Sequence, residues 1–323
     1  MTSRLLTIAA ACALTLLGGQ APAQQYPSQN IKVIISFGPG GGSDIIGRII
    51  AQRLQEKLGQ TVVVENRAGA GGLLGNEAVA NSPKDGHTLG IQTAGQIIAA
   101  VMTKQMRYDA VGAFDWVGQI ASAGLLIVVR PDAPYRDIKS LVEAAKANPG
   151  KINVASPGYG ATQHLAAELF KQVAGVNATQ VQFRTSGEAL AALLSGNIDV
   201  LFDTITALIG QVDSSQVRAL AVTGKDRFPA VPNVPAAIES GVVPNYDVVT
   251  WYGLYGPKGM PGPVVAKLNA TLNEMLEEPT TRERLVKAGV VVKGSTPQAF
   301  SQLMASEFAK WTKVREAANL EQR

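Results

Sequence analysis

Two glycine loops carry the residues best suited to bind something. The first is Phe37-Gly38-Pro39-Gly40-Gly41-Gly42-Ser43-Asp44 and the second is Ser156-Pro157-Gly158-Tyr159-Gly160-Ala161-Thr162. Each lies where an apolar, β-rich run gives way to an amphipathic helical pattern. Successive glycines let backbone N–H groups approach a ligand closely, and the start of the helix that follows carries partial positive charge. That chemistry holds anions. In the first loop the candidates are Phe37, Gly40, Gly41, Gly42, Ser43 and Asp44, where Ser43 or Asp44 also suits a helix cap. In the second they are Ser156, Tyr159, Gly160, Ala161 and Thr162, with His164 in the first helical turn either packing its helix or touching a ligand. A tight turn with no ligand is the alternative for either loop. Neither is a nucleotide fingerprint, because the spacing is not G-x-G-x-x-G and no Gly-Lys-Ser/Thr follows.

Further candidates are Thr93, Arg184 and Asp203. Arg184 either pairs with a second carboxylate or points to solvent. Asp203 either meets an amino or hydroxyl group or ends its strand in water. The stretch from Asn66 to Gly72 reads as a close-packed turn, or else as a further cleft wall. The sequence has two histidines, His87 and His164. They form no cluster with metal-ligand spacing, so neither metal nor cofactor is expected. His87 follows the turn Pro83-Lys84-Asp85-Gly86 and reads as packed or capping. A Ser156–His164–aspartate triad can be drawn, but Pro157 follows the serine and no strained G-x-S-x-G elbow exists. The pattern is that of a binding protein rather than an enzyme.

The loops need strands and helices to hold them. Ile31 to Phe37 reads as a buried strand, Asp44 to Leu58 as a helix, Thr61 to Glu65 as a strand and Gly75 to Ala80 as a short helix. That βαβ spacing implies a parallel sheet covered by helices. A second set runs from the strand Leu125–Val129 through a helix at Ile138–Ala147 and a strand at Lys151–Ala155. It continues with the helix Thr162–Ala174, the strand Thr179–Phe183, the helix Gly187–Leu194 and the strand Ile198–Phe202. Val217–Val222 reads as a strand returning toward the first set. Trp251–Tyr255 and helices at Pro263–Leu276 and Pro297–Ala318 close the chain. No internal repeat is evident. The reading is an α/β protein of two lobes: residues 24–127 with 223–323 form a discontinuous first lobe and 128–222 a second.

Residues 1–23 read as a cleaved signal peptide, with Arg4, an apolar run from Leu5 to Leu17 and then Ala21-Pro22-Ala23. That run is shorter than the about 20 residues a membrane span needs. The single cysteine, Cys12, lies inside it, so the mature chain has no disulfide or thiol chemistry. The net charge of +4 over 323 residues, with no basic stripe, argues against nucleic acid as a partner.

At these loops the sequence resembles the Bug (TctC-type) family of extracytoplasmic receptors, which feed tripartite tricarboxylate transporters. The matching stretches are Phe37 to Asp44, Val64 to Gly72, Pro83 to Leu89, Tyr108-Asp109, Ala155 to Leu165, Ala167 to Leu169 and Arg218 to Thr223. Pro232 to Pro235, Trp251 with Gly253-Leu254, and Gly294 to Pro297 complete them. The resemblance implies a two-lobed type II periplasmic binding protein fold with a hinged interdomain cleft. Its two glycine loops would hold a carboxylate through backbone amides and ordered waters. The implied ligands are di- and tricarboxylates, acidic amino acids or aromatic acids. The implied partners are the membrane subunits of the transporter, and the protein is expected to be a periplasmic monomer. A ligand-sensing receptor for a two-component kinase uses the same form and is the alternative. The sequence departs from the family at Gly38 and at Phe183-Arg184-Thr185-Ser186-Gly187, where Pro-Tyr-Lys-Gly is common.

Overall fold

The computed structural model describes residues 26–317 and 321–322; the expected signal peptide with Cys12 lies outside them. In chain order the elements are β1 (Ile31–Ile35), α1 (Gly42–Leu58), β2 (Val62–Asn66), α2 (Leu73–Ala80), β3 (Thr88–Thr93) and α3 (Ala94–Val101). There follow β4 (Phe114–Val129), α4 (Ile138–Ala147), β5 (Asn153–Pro157), α5 (Thr162–Ala174), β6 (Thr179–Phe183) and α6 (Ser186–Leu194). Next are β7 (Val200–Thr204), α7 (Ile205–Asp213), β8 (Arg218–Val222) and β9 (Val249–Pro257). Last come α8 (Gly262–Glu277), α9 (Pro279–Lys287), β10 (Val291–Val292) and α10 (Pro297–Ala317).

The strands form two sheets that share β4. Its first part, Phe114 to Gly124, pairs antiparallel with β9, and its second part, Leu125 to Val129, pairs with β7 and β8. The first sheet runs β2-β1-β3-β9-β4, with β10 added on β4. The second runs β6-β5-β7-β4-β8. In both, three parallel strands are followed by an antiparallel one, so the two halves repeat one plan that the residue types do not display.

Side-chain alternation explains why each sheet sits between helices. In β1, Ile31, Val33 and Ile35 join one core while Ile34 joins another. In β4, Leu125, Ile127 and Val129 face the helices α4 and α5, while Leu126 and Val128 face α6 and α7. Strands covered on both faces read as continuous apolar runs, and these do. Register shifts against β9, between Trp116 and Gly118 and between Gln119 and Ala121, are irregularities of the kind that bend a strand.

Two expectations need correction. Val217–Val222 does not return to the first half: β8 pairs with β4 inside the second sheet. The Pro-rich stretch after it also packs there, with Val231, Val234 and Ala236 in one core and Val243 and Tyr246 in the other. The chain goes back only at Val248–Val249. Second, the strand expected from Leu125 begins eleven residues earlier, at Phe114. Its Gly118, Ala121, Ala123 and Gly124 resemble a loop because neighbours crowd them; a Cβ on Gly124 would meet the Phe228 ring.

Thr223 fastens the crossing point. It is fully buried, and its hydroxyl accepts from the Leu125 amide (3.1 Å) and donates to the Val248 carbonyl (2.6 Å). Its own amide donates to the Leu125 carbonyl, and its carbonyl accepts from the Val248 amide. Thr223→Val keeps the shape and removes the hydroxyl, leaving the Leu125 amide unbonded. Urea unfolding is expected to show a loss of about 2 kcal/mol.

Candidate functional site

The two glycine loops occupy equivalent places in the repeated plan, after β1 and after β5. Aligned from Ser36 and Ser156, both carry glycine at the third and fifth positions. In each, the second of these glycines turns the chain with positive φ, +81° at Gly40 and +76° at Gly160. Each of these amides is clamped by a side chain four residues on: Gly40 N–H by Asp44 Oδ2 and Gly160 N–H by His164 Nδ1, both at 3.1 Å. Asp44 also accepts from Arg48 and Asn66. Its burial opposes ionisation, but the bonds from Arg48, Asn66 and the Gly40 amide outweigh that and hold its carboxyl below the usual range. Asp44 and His164 therefore shape their loops.

Between the halves lies a narrow cavity of about 40 Å³, room for about three waters. Its walls are the starts of five helices. Gly42 and Ser43 open α1, Thr93 caps α3, Thr162 and Gln163 open α5, Thr185 and Ser186 open α6, and Thr204 caps α7. The first amides of a helix have no partner within it and carry its positive pole. Arg184 is the one charged residue among the lining. The arrangement concentrates positive potential with almost no ionic side chains.

The halves are closed over this space. A Cβ on Gly38 would stand 2.6 Å from Thr185 Cγ2, one on Gly71 would be 3.0 Å from the Tyr159 carbonyl, and one on Gly95 would be 3.1 Å from the Thr162 amide. Each pair joins the first half to the second, and each leaves no room for a larger residue.

Of the residues singled out from the sequence, Phe37, Gly41, Gly42, Ser43, Thr93, Thr162 and Arg184 line the cavity. The others lie outside its lining. Gly40 is held by Asp44 and Gly160 by His164. Ala161 is buried against Gly95. Tyr159 is half exposed at the rim, its ring 5.0 Å from that of His164. Ser156 is fully buried and accepts from Gln180 on the neighbouring strand. Asp203 is fully buried one hydrogen bond behind the wall. Its Oδ1 accepts from Gln163 (3.3 Å) and from the Thr204 amide (2.7 Å).

Sequence reasoning did not single out Gln163, Thr204, Thr250 and Tyr252, while Thr185 and Ser186 fall in the departing segment Phe183 to Gly187. The repeated backbone plan relates the two threonine caps, since Thr204 ends β7 as Thr93 ends β3. Tyr252 is 1% exposed and approaches Thr204 and Thr206 without a full hydrogen bond to either. Among the described residues no group of three His, Cys, Asp or Glu could hold a metal, and no helix is long and apolar enough to cross a membrane.

Burial pushes the Asp203 carboxyl up to about 6, against the bonds from Ser186, the Thr204 amide and Gln163. A carboxyl raised above its unfolded value of about 3.9 ionises at a cost to folding. Its contribution is therefore most favourable below that value and is lost as pH rises through about 6. The difference corresponds to about 3 kcal/mol. Urea unfolding at pH 4 and pH 7.5 is expected to show this loss in the wild type and not in Asp203→Asn.

Comparison with known proteins agrees with this geometry. The family model described as the tripartite tricarboxylate transporter family receptor matches residues 46–320. The solved periplasmic binding protein BugD is 32% identical, with a TM-score of 0.87 over 92% of this chain and 100% of that one. Rpa4515 of R. palustris, solved with adipate, is 31% identical with a TM-score of 0.87 over 91% and 98%. MatC (Rpa3494) of Rhodopseudomonas palustris, solved with bound malate, is 32% identical with a TM-score of 0.83 over 90% and 99%. The two halves around a cleft are the two-lobed periplasmic binding protein fold. With the glycine loops, the converging helix starts and a family match over most of its length, the chain belongs to the Bug (TctC-type) receptors of tripartite tricarboxylate transporters.

Proposed function

We propose that the protein captures a small carboxylate in the periplasm and presents it to the membrane subunits of a tripartite transporter, with no chemistry of its own. The observation that carries this is the convergence of five helix starts on one cavity. Oriented amides bind an oxyanion through charge-assisted hydrogen bonds without a permanent counter-ion. The adipate and malate bound by two relatives are of that ligand class. In this reading residues 1–23 are removed on export. Residues 26–124 with 249–317 make the first lobe and 125–248 the second, a division that follows the return of the chain at Val249.

A carboxylate is expected to stabilise the protein in a thermal-shift assay while its methyl ester does not. At about a hundred times Kd the stabilisation is about 2.7 kcal/mol. Equal shifts for acid and ester would reject anion capture. Gly95 supplies a second check, because it sits in α3 and faces the opposite half only in the closed form. Gly95→Val is expected to weaken binding at least about tenfold by calorimetry, which corresponds to about 1.4 kcal/mol. The empty protein should unfold at nearly the same urea concentration.

A further inference from the structure

The repeated plan exposes one place where the halves differ in charge. Before Thr93 stands Gln92, and before the equivalent Thr204 stands Asp203; both are fully buried. The first half thus places a neutral amide behind its wall and the second a carboxyl group. Asp203 Oδ2 has no hydrogen-bond partner among the described residues.

The hydrogens around Asp203 can be counted. An ionised carboxylate only accepts. Its Oδ1 takes a hydrogen from Gln163 Nε2 and one from the Thr204 amide. Gln163 lines the cavity. Gln163 turns its amide nitrogen to Asp203, because the opposite orientation would set two acceptors against each other. Its carbonyl oxygen is what remains. The wall in front of Asp203 therefore offers an acceptor, whereas the amides of Gly42 and Ser43 opposite offer donors.

We propose that Asp203 is a specificity-determining positioning residue: acting through Gln163, it selects carboxylates that carry a hydrogen-bond donor, a hydroxyl or an ammonium, beside the carboxylate. The proposal rests on the carboxylate reading above and adds the second half of the ligand. A site built around acceptors discriminates against a ligand without the donor, because its own buried polar groups are then left unpaired.

Calorimetry on two matched series tests it: succinate, malate and aspartate, and propionate, lactate and alanine. The wild type is expected to bind a hydroxy or amino member at least about tenfold more tightly than the unsubstituted acid, the worth of one such hydrogen bond. Which substituent wins tells hydroxyl from ammonium. Asp203→Leu removes the acceptor that holds the Gln163 amide nitrogen away from the cavity, frees that amide to turn, and is expected to erase the preference. A purely structural role would weaken every member alike, and that result overturns the proposal. So does a wild type that binds substituted and unsubstituted acids equally. Where Asp203→Leu does not fold, Gln163→Met removes the acceptor itself and should shrink the same ratio; an unchanged ratio counts against the proposal. Binding without discrimination removes this inference and leaves carboxylate capture standing. No binding by any of the six removes both.

Discussion

Everything in this molecule hangs on the point where two strands pass between two sheets. β4 serves both sheets, and the chain comes back beside it at Val248–Val249. Thr223 closes that junction with four hydrogen bonds, two through its hydroxyl and two through its backbone. Any relative movement of the halves must turn about this place, because it is where both crossing strands are tied. The cavity faces it across Thr250 and Tyr252, which follow directly in β9. A small rotation there is magnified at the glycine loops.

The repeated strand order also explains how an anion site arises with almost no cationic side chains. Each half points the starts of its helices toward the same edge of its sheet, so facing the halves together brings positive poles together. Two such halves alone would repel. Their mutual field is relieved by a bound anion and, within the wall, by Asp203. The energy that binds the ligand is thus stored in the arrangement of backbone rather than in salt bridges, and the loops stay rigid through the Gly40–Asp44 and Gly160–His164 clamps.

Much of this was legible in the residues. The strands β1, β2, β5 and β6 and the helices α1, α4 and α5 follow from apolar periodicity. Both glycine loops follow from their place between strand and helix. The early part of β4 was not readable, because Gly118, Ala121 and Gly124 are small for reasons of packing that only the folded neighbours supply. The strand β8 could be recognised but not placed, since a strand of mixed burial pairs equally well with either sheet. Half the cavity wall escaped as well. Thr185, Ser186 and Thr204 are ordinary cap residues anywhere in a protein, and only the repeated backbone plan makes them part of a site. Asp44 and His164 drew attention as polar groups beside glycines, and each accepts from the amide of the glycine that turns its loop.

The glycine contacts between the halves have a kinetic meaning. Gly38 against Thr185, Gly71 against Tyr159 and Gly95 against Thr162 bring the two halves into close contact at three points beside the cavity. Parting the halves breaks all three contacts together, so the residence time of a ligand held between them includes the waiting time for that event. Unloading is then a mechanical matter: leverage applied at the outer edges of the two lobes, far from the ligand, is enough to empty the site.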